Sequence, residues 1–193
     1  MAIRTQRLTF EAYLAYNDHT DTRYELVDGE LCPMSLGTGK HTAIIRFLSK
    51  YLEQQPEALQ QNWVAIPAMV GVRSPRGTRW DTVRIPDITL LPHAQLKALE
   101  ARECVIDLHE LPPLLVVEVV SESTKSVDYR AKWVEYAALN IPEYWMIDYL
   151  DQVAIVCVLD EGRYQDTVFR EGALIASPTF PSLNLSPAQV WMA

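Results

Sequence analysis

The stretch LLVVEVVSEST at 114–124 is apolar from Leu114 to Val120 except for one carboxylate, Glu118. A continuous apolar run of this length reads as a central strand covered on both faces, so the chain needs a sheet with layers on either side. A lone ionised carboxylate in such a strand costs several kcal/mol or more unless it is paired or bound to a metal. A strand at the sheet margin, or a salt bridge to an arginine, makes Glu118 structural; a metal makes it functional. A second acid bears on that choice. RIPDITLLP places Asp87 after Pro86 at the start of another apolar strand, 31 positions before Glu118. Proline there keeps Ile85 extended and fixes the path into the strand. If the two strands are neighbours, both carboxylates can point to one face. With backbone oxygens they would form a hard, oxygen-only set of the kind Mg²⁺ or Mn²⁺ prefers.

The surrounding pattern is mixed α/β. Thr9 can cap a short helix to about residue 17, and Asp28-Gly29 between two alternating runs signals a hairpin. Ile44, Ile45, Leu48 and Leu52 fall at helical spacing within 41–54. Strands are expected over 62–72 and 84–91, with RSPRGTRWDT between them as a polar loop. A short helix follows at 95–102, then the strand at 114–120 and a helix to about 139. Two more strands, 143–149 and 153–159, read as a hairpin, and a short segment at 187–191 closes the chain. At 193 residues, 49% apolar and 22% charged, this is one expected domain over 1–193. Its fold class is a mixed central sheet flanked by helices, with an N-terminal helix and hairpin.

Several classes are disfavoured. The first 21 residues are charged throughout and lack an apolar signal core, and no apolar run reaches the roughly 18 residues of a membrane span. Cys32, Cys104 and Cys157 are far apart with no CxxC, which argues for reduced thiols in a cytoplasm. The formal charge of −8 is unlike that of a protein gripping nucleic acid by overall charge, so such contact needs a local patch, a partner or a dimer cleft.

The helix after the central strand adds cations. In STKSVDYRAKWVEY, Asp128, Lys132, Glu135 and Tyr136 share one face, and Val127, Ala131, Val134 and Ala138 the other. Taken alone, Lys132 reads as half of an exposed Asp128–Lys132 pair worth a few tenths of a kcal/mol. Yet a lysine so soon after Glu118 can reach back over the strand end, and Lys125 can do the same from the loop.

The ordered set RIPDITLLP, LLVVEVVSEST and DYRAKWVEYAALNIPEYWMID, with YELVDGEL before it, resembles the Uma-two family of restriction-endonuclease-like proteins, within the PD-(D/E)XK nuclease superfamily. The resemblance runs from about residue 24 to 148 and implies a restriction-endonuclease-like core. It implies that Asp87, Glu118 and the backbone carbonyl of Val119 hold Mg²⁺ or Mn²⁺. The superfamily lysine two positions after the second acid is replaced by Val120, and Lys132 on the following helix fits as its substitute, ahead of Lys125. Glu25 is a candidate early acid, whereas His41 reads as a residue that caps or packs. The implied function is a metal-dependent endonuclease acting on nucleic acid, DNA first, as a homodimer by analogy. Alternatives are a catalytically degenerate binding or assembly module, and a hydrolase of a small phosphorylated substrate. Arg73, Arg76, Arg79 and Arg84 flank the Pro86-Asp87 strand and, with Trp80, suit either a nucleic-acid contact or a solvated loop. Trp133, Tyr144 and Trp145 read as core or interface.

Overall fold

The computed structural model describes residues 7–193; the first six, part of the charged opening, lie outside them. A short helix α1 (Phe10–Leu14) is capped by the Thr9 hydroxyl, which accepts from the Ala12 N–H at 3.2 Å. Strands β1 (Tyr24–Val27) and β2 (Glu30–Pro33) form the expected hairpin. Both turn residues, Asp28 (φ 52°) and Gly29 (φ 83°), take the positive φ that this tight turn requires. Helix α2 (Gly39–Glu53) buries Ile44, Leu48 and Leu52, and α3 (Pro56–Gln61) follows it.

The expected strand at 62–72 is two strands. β3 (Trp63–Pro67) ends before Ala68, whose φ of 44° turns the chain out of one sheet, and β4 (Gly71–Arg76) enters another. The expected polar loop is a hairpin of β4 with β5 (Arg79–Arg84), closed around Gly77 at φ 61°. The expected strand at 84–91 is likewise divided. β5 stops at Arg84, and β6 (Ile88–Pro92) begins after the Ile85-Pro86-Asp87 link. α4 (His93–Ala98) and β7 (Val105–Ile106) lead to the central strand β8 (Leu115–Val119). A π-helical turn, Val127–Lys132, runs straight into α5 (Trp133–Ala138). β9 (Glu143–Asp148), β10 (Val153–Asp160), β11 (Arg163–Arg170) and α6 (Pro187–Trp191) complete the chain.

The strands form two sheets. The smaller has the order β2-β1-β5-β4-β7 and the larger β11-β10-β9-β8-β6-β3. Within the larger, β8 and β9 are parallel and the other neighbours antiparallel. Because side chains alternate across a strand, β8 and β9 feed two cores. Val117, Val119, Trp145 and Ile147 pack with α2 and the C-terminal Phe180, Leu185 and Val190. Val116, Val120, Tyr144 and Met146 pack with Tyr136 and Ala137 of α5. Tyr144 and Trp145 are therefore core residues, while Trp133 packs edge-on to Tyr164 and donates its indole N–H to Asp166.

Candidate active site

The β6–β8 ladder pairs Ile88 with Val117, which sets Asp87 beside the end of β8 where Glu118 and Val119 lie. The Val119 N–H donates to Asp87 Oδ2 at 2.7 Å, so the carboxylate of the link is fastened to the residue after Glu118. Both acids line one cavity of about 600 Å³, together with Glu25, His41, Val119 and Lys132. Glu118 is 3% exposed and shares its face of β8 with Val116 and Val120, toward α5.

Two groups meet Glu118 there. Tyr136 Oη donates to Oε1 at 2.8 Å, and Lys132 Nζ stands 2.8 Å from Oε2. Lys132 also lies 3.0 Å from Asp128 Oδ1 and is 6% exposed. The bland sequence reading of this helix face as solvated is overturned. Asp128, Lys132, Glu135 and Tyr136 are the buried face, and Val134 is 61% exposed. The charges face inward because each has a charged or hydroxyl partner over the sheet. The wider π turn, which ends at Lys132, is a feature often found at functional sites.

Burial pushes the Glu118 carboxyl up to about 8 against the pull of Lys132, and Asp128 and Asp87 add to the rise. Burial opposes the Lys132 ammonium, but Glu118 and Asp128 outweigh it and hold its pKa above the ordinary lysine range. The lysine thus stays charged and Glu118 is the member of the pair that titrates. Burial and then Glu118 raise the Tyr136 hydroxyl well above its usual pKa, so it remains a donor.

Glu25 belongs to the site as a brace. Its Oε1 accepts from the Ile85 N–H at 2.9 Å and its Oε2 from Arg84 at 3.0 Å, which pins the link that carries Asp87. His41 does more than cap or pack. Its Nε2 lies 3.0 Å from the Val119 carbonyl oxygen and 3.3 Å from Asp87 Oδ2. Burial lowers the pKa of this imidazole, but Asp87 outweighs burial and the net shift is upward. The sequence held a signal for it: His41 precedes Ile44 and Ile45 by three and four positions and so lies on the apolar stripe of α2.

Other candidates fall outside this cluster. Lys125 sits at the surface, 2.6 Å from Asp151 Oδ2 and 3.1 Å from Asp148 Oδ2, away from the cavity wall. Arg84 is corrected from nucleic-acid contact to structure. It is 2% exposed and its guanidinium is taken up by Glu135 at 2.7 and 3.1 Å and by Glu25. Arg73 binds Asp107 and lies over the Phe10 ring, and Arg79 pairs with Asp28 and Asp81. Arg76 reaches Glu135 at 3.2 Å from the solvent side, and Trp80 is half exposed on the same hairpin.

Among the described residues, no three His, Cys, Asp or Glu side chains converge closely enough to hold a metal by themselves. Asp87, Glu118 and Val119 line the same cavity, and two carboxylates with a backbone carbonyl are donors of the kind a hard divalent cation takes. Glu118 and Asp128 are buried around one ammonium, that of Lys132.

The fold is a nuclease-like α/β fold. A protein described as a "putative nuclease belonging to DUF820" from Anabaena variabilis superposes with a TM-score of 0.74 at 20% identity, over 96% of this chain and 98% of its own. The family described as Uma2, "Putative restriction endonuclease", matches residues 10–188, and the chain belongs to it. No curated protein matches the sequence.

Proposed function

We propose that the protein is a metal-dependent endonuclease that hydrolyses phosphodiester bonds of nucleic acid, with DNA as the first substrate to test. The observation that carries this reading is the convergence of Asp87, Glu118 and Lys132 on one cavity wall, with the Val119 backbone tied to Asp87 at 2.7 Å. Asp87, Glu118 and the Val119 carbonyl would hold Mg²⁺ or Mn²⁺. When bound, such an ion supplies a water of lowered pKa and polarises the phosphate. Lys132 keeps its proton and presents positive charge where negative charge develops on the phosphate. Tyr136 orients Glu118 from behind, and Glu25 holds the backbone ahead of Asp87.

The test is incubation of plasmid, single-stranded DNA and RNA with Mn²⁺, with Glu118→Ala and Asp87→Ala alongside. Each substitution should lower the cleavage rate by about 10³-fold or more, since a catalytic ion is worth several kcal/mol. Circular dichroism should show both variants folded. One observation favours a second reading, a degenerate binding or assembly module: both Glu118 oxygens already have protein partners, Tyr136 and Lys132. Failure of wild-type protein to cleave any of these substrates, or a small phosphodiester, would leave that reading standing.

A further inference from the structure

In this chain of net charge −8, the cations around the candidate site are held by acids: Arg73, Arg76, Arg79, Arg84, Lys125 and Lys132 each face at least one. Arg46 and Lys50, on the exposed side of α2, are different. Among the described residues neither has an acid partner. They stand four positions apart on one helix, where like charges repel. The one acid of α2, Glu53, is turned elsewhere, since its Oε1 accepts from the Ala65 N–H of β3 at 3.0 Å. The cationic pair therefore works against its own helix unless an anion lies across it.

A groove of about 530 Å³ runs over this face. It is lined by both cations, by Phe47 and by Tyr51, and by no Asp or Glu side chain. The two aromatic rings pack partly against the core, with centroids 5.5 Å apart and planes inclined by 35°. The Tyr51 hydroxyl donates to the Asn184 carbonyl at 2.7 Å, which holds its ring in place. Core packing alone accounts for two half-buried aromatics, but not for their sharing a groove with two unpaired cations. The position of the groove is the third observation. Gly39 and Thr42 line it, while Thr38 and His41 line the cavity that holds Asp87 and Glu118, so the two adjoin at the first turn of α2.

We propose that this face of α2 is a track for single-stranded DNA, which it leads to the cavity. Arg46 and Lys50 meet phosphates, and Phe47 and Tyr51 offer faces to unstacked bases, the two elements from which single-strand grooves are built. A duplex keeps its bases paired inside and leaves the rings without a partner, so the track selects the single strand. Resting on the nuclease reading above for what happens at the cavity, the track adds the form in which the substrate arrives.

The experiment is anisotropy of a labelled oligo-dT in EDTA, from 50 to 200 mM salt. Wild-type protein should bind it at least about fivefold more tightly than a duplex of the same length. Arg46→Ala and Lys50→Ala should each lower the log–log salt slope by about 0.7, and Arg46→Lys should restore it. Lys97→Ala, which removes an exposed cation on α4, should leave the slope unchanged. Phe47→Leu keeps an apolar side chain against the core and should weaken the single strand about fivefold or more, with the slope unaltered. A slope untouched by both alanine substitutions, a duplex held as tightly as the single strand, or equal binding of polyglutamate would overturn the track. An RNA strand bound more tightly than the DNA would overturn the choice of DNA. Because binding is read without metal, the two readings fail separately. Oligo-dT bound as expected, with no cleavage in Mn²⁺, leaves the track standing and removes the nuclease; cleavage by a protein whose α2 variants bind like wild type does the reverse.

Discussion

Glu118 is tolerated in its strand because it is partnered, not because it is at a margin. Its full ionisation still works against the fold. The folded chain holds the Glu118 proton until pH about 8, whereas the ordinary glutamate value is 4.5. The unfolded state therefore releases this proton first as pH rises, and the folded state loses stability across that interval. In metal-free buffer, denaturant titrations from pH 5 to 8.5 should show this loss, on the order of a few kcal/mol at most. Glu118→Gln keeps an acceptor for Tyr136 and should flatten the slope. An unchanged slope in that variant would place the titrating group elsewhere. Asp87, Glu118 and Lys132 were all legible in the sequence as a chemical set. His41 was legible only in part: its place on the apolar stripe of α2 points inward, but a single histidine at the start of a helix reads first as a residue that caps or packs.

The elements were legible where local chemistry decides them. Asp28-Gly29 signalled a tight turn, and Leu114 to Val120 read first as a covered strand, which β8 is. The division into two sheets was hidden, because it depends on where each strand finds a partner. RSPRGTRWDT is as polar as a loop, yet its arginines are paired to acids brought from α5, from the β1–β2 turn and from the segment after β7. β11 was missed for a related reason: most of its residues face water, so it shows no apolar alternation. The element most dependent on one residue is the junction of β5 with α5. There Arg84 bridges Glu135 and Glu25 while almost wholly buried. Removing one partner of a buried ion pair costs about 3–5 kcal/mol. Arg84→Met should therefore lower Tm by roughly 10 °C. A loss of only a degree or two in calorimetry would show that Glu25 and Glu135 find water or other donors.

At the scale of the whole molecule, a net charge of −8 constrains the proposed contact with nucleic acid. Arg73 and Arg79 on the β4–β5 hairpin are held by acids of the same chain, and Arg84 is interior. Arg76 is the cation of that set whose acid, Glu135, is already served by Arg84. Binding of a labelled duplex in Ca²⁺, followed by anisotropy from 50 to 200 mM salt, should give a shallow dependence, with a log–log slope below about 3. Arg76→Ala should reduce that slope by about 1, whereas Arg73→Ala and Arg79→Ala should leave it unchanged. A steep slope insensitive to Arg76 would move the contact surface off this hairpin.

The parallel pairing of β8 with β9 has a consequence in time. Asp128, Lys132 and Tyr136 all lie on the single crossover that leaves β8 just after Glu118 and returns to β9. That crossover closes through contacts near in sequence, which form fast. Asp87 and His41 arrive from the link before β6 and from α2, across far longer stretches of chain. A refolding chain therefore joins its acid to its lysine first and completes the corner around Asp87 last. Partly folded protein carries Glu118 already paired with Lys132 before the remaining sheet has docked.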